Sequence, residues 1–213
     1  MNFNLNAHEE VCLEIKGKVS PNEYLKKKLP AGVELVLTDG LARIALRQAK
    51  VERLNWHAFP YYRVHCDVAI WAVEVMHAGR KGWYAIETNM NHAILRSAAN
   101  MVFSILIRDA EFSFMEKRKS LITTEQLTCG GELKLHVELG QEAVTITHAT
   151  PIFLSGKNRV AGVDVVYRSV DFCRISKADV IKDEVSRKVA GDEVKWDTDC
   201  YVLRGHDLEW MEA

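Results

Sequence analysis

The 213-residue chain lacks most of the features by which a sequence declares a partner. It has no surplus of positive charge: 28 lysines and arginines stand against 29 aspartates and glutamates, a formal net charge of −1. A nucleic-acid binder normally carries a basic excess to neutralise phosphates, so no nucleic-acid partner is expected. No apolar run approaches the roughly 18 residues of a membrane-spanning helix, so no membrane partner is expected either. Glu9, Glu10 and Glu14 stand where a signal peptide would need an apolar segment. The five cysteines (Cys12, Cys66, Cys129, Cys173 and Cys200) are scattered, odd in number and free of any C-x-x-C pair. That usage suits reduced thiols in the cytoplasm and argues against a disulfide framework or structural zinc.

Motifs that carry chemistry are equally scarce. The eight histidines form neither H-x-H nor H-E-x-x-H, so no metal site is expected, and no cofactor. Lys157 lies in a loop, Ser155 to Arg159, without the strand-turn-helix setting of a phosphate-binding loop. There is no G-x-S-x-G, and no cysteine-histidine pairing visible from spacing, which sets aside the usual hydrolases. No internal repeat or low-complexity linker breaks the chain, so residues 1–213 are expected to form a single domain. With 48% apolar and 8% aromatic residues it can build a substantial core.

What is present is mostly strand-like alternation. Val11, Leu13 and Ile15 alternate with polar neighbours. Ser20-Pro21-Asn22-Glu23 has the pattern of a capping box opening a short helix, whose end carries Lys26, Lys27 and Lys28 in accord with the helix dipole. Asp39-Gly40 marks a hairpin, and beyond it Ala42, Ile44 and Leu46 place the core on the even-numbered side, away from Arg43 and Arg47. In Tyr62 to Val68, the polar residues Arg63, His65 and Asp67 share one face; that face lines an interior or meets solvent, and the spacing leaves both open. Ile70 to Met76 continues that strand, a turn follows through Gly79 and Gly82, and Trp83 to Glu87 returns. Thr88 or Asn89 is placed to cap a helix whose apolar positions, Ile94, Leu95, Ala98, Ala99, Val102, Phe103 and Leu106, describe a wide stripe of a buried helix. Phe112 and Phe114 belong to a half-exposed strand. Leu133 to Leu139 reads as a strand turning at Gly140-Gln141 into Ala143 to Thr147, which keeps His136 away from His148. Val163 to Val170 is a strand, Ser176 to Asp179 opens an amphipathic helix to Val189, and Val194 to Met211 reads as one or two strands broken at Arg204 to Asp207. The sum is an α+β, mainly antiparallel fold.

The order of several elements carries a resemblance. Leu29-Pro30, a strand from Val33 to Leu37, the Asp39-Gly40 turn, a strand from Leu41 to Gln48, Phe59-Pro60 entering a long strand, the Gly79-x-x-Gly82 hairpin, an aromatic strand and a helix with small residues follow one another. Over residues 25 to 120 this resembles the acetoacetate decarboxylase-like barrel proteins, closest to their uncharacterised branch. The resemblance implies a closed or partly open β-barrel with a few packed helices and a ligand in its interior. In the family's decarboxylases the helix runs into Gly-aromatic-Pro-Lys-Lys, whose first lysine forms a Schiff base and whose second lowers that amine's pKa. The corresponding positions here are Ser104, Ile105, Leu106, Ile107 and Arg108. An isoleucine forms no imine, and a guanidinium stays protonated.

The resemblance therefore implies a protein that holds a small anionic organic molecule rather than one that decarboxylates it. The ligand-binding candidates are Arg63, His65, Asp67 and Arg108, with Glu87, His92 and Arg96 behind them. Arg63 and Arg108 would fork a carboxylate, while His65 and Asp67 would form an acid–base couple. The family's substrate-contacting glutamates lie near the Arg63 strand, where Asp67 is the only substitute. A competing reading is a Schiff-base decarboxylase or lyase acting on a keto acid through a lysine relocated to Lys117 or Lys119. A third is a non-catalytic homo-oligomer that pairs through exposed strands. Whether the chain is an enzyme is left open by these residues.

Overall fold

The computed structural model describes residues 5–56, 59–102, 106–155 and 160–212. Eleven strands and three short helices follow one another among them. β1 (Leu5–Val19) leads to α1 (Glu23–Lys27), then β2 (Val33–Leu35), β3 (Leu37–Thr38), β4 (Leu41–Trp56), β5 (Phe59–His77) and β6 (Arg80–Met90). After α2 (Ala93–Val102) come β7 (Leu106–Lys117), β8 (Ser120–Leu127), β9 (Glu132–Ser155) and β10 (Val160–Asp183), then α3 (Val185–Ala190) and β11 (Lys195–Glu212). The strands make one large mixed sheet in the order β2-β5-β6-β7-β8-β9-β10-β11-β1-β4-β3, with additional pairings of β4 with β5 and of β6 with β9. The β6–β7 and β6–β9 pairings are parallel.

Alternation along the strands explains the layers. One face gathers Leu13 and Ile15 of β1, Ile44 and Leu46 of β4, Trp71 and Val73 of β5, Leu121 of β8 and Leu135 of β9 into the larger apolar core. The opposite phase of β1, β4 and β5 is buried as well, in a second cluster holding Cys12, Ala49 and Cys66 with Ile152, Leu203 and Leu208. We call the first face inner. The Asp39-Gly40 turn closes the β3–β4 hairpin as expected, with both residues in the left-handed region (φ 54° and 76°). Ala42, Ile44 and Leu46 lie on the inner face as the pattern predicts.

Several boundaries differ from the sequence reading. The cap of α1 is Asn22, not Ser20: its side chain accepts from Leu25 N–H at 2.8 Å. Thr88 and Asn89 cap nothing, because pairing with β5 on one side and β7 on the other carries β6 through to Met90. His92 takes the capping role, its Nδ1 accepting from Leu95 N–H at 3.2 Å. Nor is α2 buried: Ile94 and Met101 are 63% and 65% exposed, and among its described side chains Leu95 alone reaches a core cluster. Phe103, counted in its stripe, lies outside the described residues. Gly140-Gln141 makes no hairpin, since β10 pairs along both sides of it and the extra residues become an irregularity between the Cys173–Ala143 and Ile175–Leu139 pairs. Residues Lys177 to Asp183 pair with Leu133 to Glu138 as strand, so α3 starts only at Val185, where Asp183 accepts from Ser186 N–H at 2.9 Å. The final strand is unbroken, Gly205 absorbing a positive φ of 53° within it.

Candidate functional site

A bulge in β6 creates the most unusual place in the molecule. Along the first part of β6 the even-numbered Tyr84 faces the inner core, paired with Val73. The register then skips one residue: Ala85 pairs with Ala72, and the next partner, Trp71, meets Glu87. An extra residue in one strand reverses the phase of everything after it. Glu87 and Asn89, which simple alternation would turn outward, thus join Trp71 and Ala69 on the inner face. β8 adds Thr123 and Glu125 from between Leu121 and Leu127, β4 adds Gln48 one step past Leu46, and Arg108 pairs with Asn89 across the parallel ladder. Lys28, the C-cap of α1, reaches in from the helix.

The cluster divides into two carboxylates. Glu87 has no exposed surface and is met by two cations: Lys28 Nζ donates to its Oε2 at 3.0 Å, and Arg108 Nε stands 3.0 Å from its Oε1. Lys28 also lies over the Tyr24 ring at 5.0 Å, and Arg108 Nη1 donates to Cys129 Sγ at 3.4 Å. Glu125 is equally buried but touches no cation among the described residues. Its Oε1 accepts from Asn89 Nδ2 at 2.6 Å and Trp71 Nε1 at 3.4 Å, and its Oε2 accepts from Gln48 Nε2 at 3.1 Å. Gln48 is itself fixed by Thr123, whose hydroxyl donates to Gln48 Oε1 at 2.6 Å. Burial disfavours the charged form and pushes Glu125 up to about 7, against the pull of its three donors and with the help of nearby Glu87. Such an arrangement can hold an anion beside two cations and supply or accept a proton near neutrality.

The residues singled out from the sequence fall in three places. Glu87 and Arg108 meet in this cluster. Ile107, the position that the resemblance assigns to the imine-forming lysine, pairs with Thr88 and is buried on the other face of β7. The Arg63 side chain lies outside the described residues. His65 is exposed and Asp67 half-buried; with Glu10, Lys50, Glu52, Cys66 and Asn91 they line a cavity of about 390 Å³. Asn91 holds Asp67 there, donating to its Oδ2 at 2.9 Å and accepting from its backbone N–H at 2.8 Å. Burial raises the Asp67 pKa, against the pull of Lys50. His92 and Arg96 form a third group at the start of α2, where Arg96 donates to Met90 C=O at 3.0 Å and pairs with Asp109 at 2.5 Å. Lys117 and Lys119 are exposed at the β7–β8 hairpin. Among the described residues no group of three or more metal-ligating side chains converges, and no helix is long and apolar enough to cross a membrane.

Lys28, Gln48, Trp71, Asn89, Thr123 and Glu125 were not foreseen as site residues. Two of them were detectable: Gln48 extends the apolar phase of Ala42, Ile44 and Leu46, and Glu125 sits in phase with Leu121 and Leu127. A polar residue at an apolar phase is the signal.

No protein-family model and no curated protein sequence matches the chain. Its fold is that of acetoacetate decarboxylase-like proteins. The enduracididine biosynthesis enzyme MppR, solved in complex with pyruvate, superposes with a TM-score of 0.63 at 8% identity, covering 100% of this chain and 88% of that one. Acetoacetate decarboxylase from Legionella pneumophila gives 0.64 at 9% identity, covering 98% and 86%. An acetoacetate decarboxylase-like enzyme from Sphingomonas wittichii RW1 gives 0.64 at 12% identity, covering 100% and 92%.

Proposed function

We propose that the chain binds a small organic carboxylate non-covalently at the inner-face cluster, with Arg108 and Lys28 as its counter-charges. The observation that carries this is the excess of cation: two positive side chains converge on the one carboxylate of Glu87. With Glu125 protonated, this partly buried site keeps one uncompensated positive charge and favours an anion, and guanidinium presents several donors in a fork that suits a carboxylate. A pyruvate complex of a protein of the same fold makes short keto acids the first ligands to try. The reading includes a barrel: the ladders run from β5 through β6, β7, β8, β9, β10, β11, β1 and β4, and β4 pairs with β5 again. It also includes a single unit of residues 1–213, in the cytoplasm, within the uncharacterised branch of these proteins. Titration calorimetry with pyruvate checks it. Arg108→Ala and Lys28→Met should each weaken binding at least tenfold; unchanged affinity in both would move the ligand elsewhere.

One observation favours a second reading, the Schiff-base lyase. Lys28 is 13% exposed and bonded to a buried carboxylate, unlike exposed Lys117 and Lys119. Once its proton passes to a carboxylate, the Lys28 amine can add to a keto carbon, and loss of water gives the imine. Borohydride with pyruvate would then leave an adduct on the peptide holding Lys28. An adduct on Lys117 or Lys119, or none at all, would rule Lys28 out.

A further inference from the structure

The two ends of the Asn89 side chain are treated differently. Its Nδ2 donates to Glu125, while its Oδ1 is buried and no protein donor reaches it. A buried acceptor without a donor is destabilising by about 1–3 kcal/mol, so the geometry is poised for a second arrangement. Of the three donors on Glu125, Asn89 can reverse without a second group reversing with it. The indole N–H of Trp71 is a donor with no acceptor to exchange, and turning Gln48 would require the Thr123 hydroxyl to accept where it now donates.

From this geometry we infer that the site takes up its carboxylate together with one proton: Glu125 receives the proton and Asn89 turns its amide. A protonated Glu125 needs an acceptor, and Asn89 Oδ1, turned inward, provides it. The same rotation presents Asn89 Nδ2 where Oδ1 stood, on the strand that pairs with that of Arg108, so the site exchanges an unpaired acceptor for a donor suited to an anion. The proton comes from solvent, and no bond other than this O–H forms or breaks. Neutralising Glu125 also removes one negative charge from the neighbourhood of the incoming anion.

The groups facing Glu125 leave it as the proton acceptor. β4 presents neutral Gln48, β5 neutral Trp71 with Trp196 of β11 tilted against it at 5.8 Å, β9 Leu133 and β7 Phe112. The charged groups nearby are Glu87 on β6, already held by Lys28 from α1, and Arg108 from β7. Burial places the Glu125 pKa at about 7, so both proton states are accessible near neutrality.

This inference rests on the carboxylate-binding reading, and the test separates the two. Pyruvate is titrated calorimetrically at pH 6 and pH 8, each in two buffers of different protonation enthalpy. The expected result is about one proton taken up per pyruvate at pH 8 and almost none at pH 6, with affinity falling about tenfold per pH unit above 7. In Glu125→Gln the uptake at pH 8 should vanish. Infrared difference spectra of the wild type need no variant: pyruvate added at pH 8 should bring up the carbonyl stretch of a protonated carboxyl. Binding without proton uptake, uptake retained in Glu125→Gln, or no such band would overturn the inference and leave the carboxylate site standing. Absence of any pyruvate binding would overturn the carboxylate site and the inference with it.

Discussion

Glu87 and Glu125 stand two strands apart on the same inner face, both without exposed surface, yet their surroundings solve the same problem in opposite ways. Glu87 is met by two cations, Lys28 and Arg108. Glu125 has three neutral donors and no cation, so burial tends to neutralise it instead. A third carboxylate, Glu9, shows the commonest solution: Arg47 forks it with bonds of 2.9 and 2.5 Å, on the side of the sheet away from the cluster. A buried carboxylate needs opposite charge, or a proton, or both. Having one of each kind side by side would, on the proposed function, separate two jobs, holding an anion's counter-charges and handling a proton.

The largest expected effect comes from removing the charged solution. Glu87→Ala leaves Lys28 and Arg108 facing each other across an apolar gap. Loss of one partner from a buried ion pair typically destabilises by roughly 3–5 kcal/mol, and denaturant unfolding should show a loss in that range. A change under about 1 kcal/mol would mean that the cations relax into solvent and the two carboxylates do not differ as described.

Glu125 gives the next effect, and its sign is specific. A carboxyl whose folded pKa is raised binds its proton more tightly folded than unfolded. The wild type should therefore lose stability as pH rises from the ordinary glutamate value, about 4.3, to about 7, and level off above it. The loss is at most roughly 4 kcal/mol. Glu125→Gln should abolish that slope and leave the variant relatively more stable at pH 8 than at pH 5. Unfolding curves of both proteins at the two pH values check this; parallel slopes would show that Glu125 stays ionised.

Much of the frame was legible because it depends on local rules. The Asp39-Gly40 hairpin, the inner phase of Ala42, Ile44 and Leu46, and the strand at Val11 to Ile15 follow from turn chemistry and period-two alternation. The site was less legible because it depends on register. Glu87 was chosen through the end of a strand, but its inward direction, and that of Asn89, comes from a one-residue bulge against β5 that alternation within β6 does not reveal. Thr88 and Asn89 looked like helix caps because Asx and Thr side chains compete for backbone amides; pairing to two neighbouring strands overrode that preference. Lys28 was read as a cation at a helix end that suits the dipole, and the packing of α1 near β6 brings it to Glu87. The helix at Ala93–Val102 was expected inside from its stripe, but the parallel β6–β7 crossover leaves Ile94 and Met101 outward.

The smallest effect concerns the place that alternation favoured. Asp67 is half-buried beside Lys50, with solvent within reach, so its raised pKa should translate into little stability. The sign matches that of Glu125: stability falls slightly as pH rises through the carboxyl range, and Asp67→Asn flattens it. At a partly exposed site the change should stay within about 0.5 kcal/mol. Ligand binding makes this small variant informative. If pyruvate sits between Arg108 and Lys28, Asp67→Asn and His65→Ala should alter its affinity less than about twofold, because the cavity that they line is a separate place on β5. A tenfold change in calorimetric affinity from either would put the anion in that cavity, among Glu10, Glu52 and Asp67, where Lys50 is the lysine or arginine among the described lining residues. The contrast between Glu87 and Glu125 would then describe how the fold tolerates buried carboxylates, with no bearing on ligand capture.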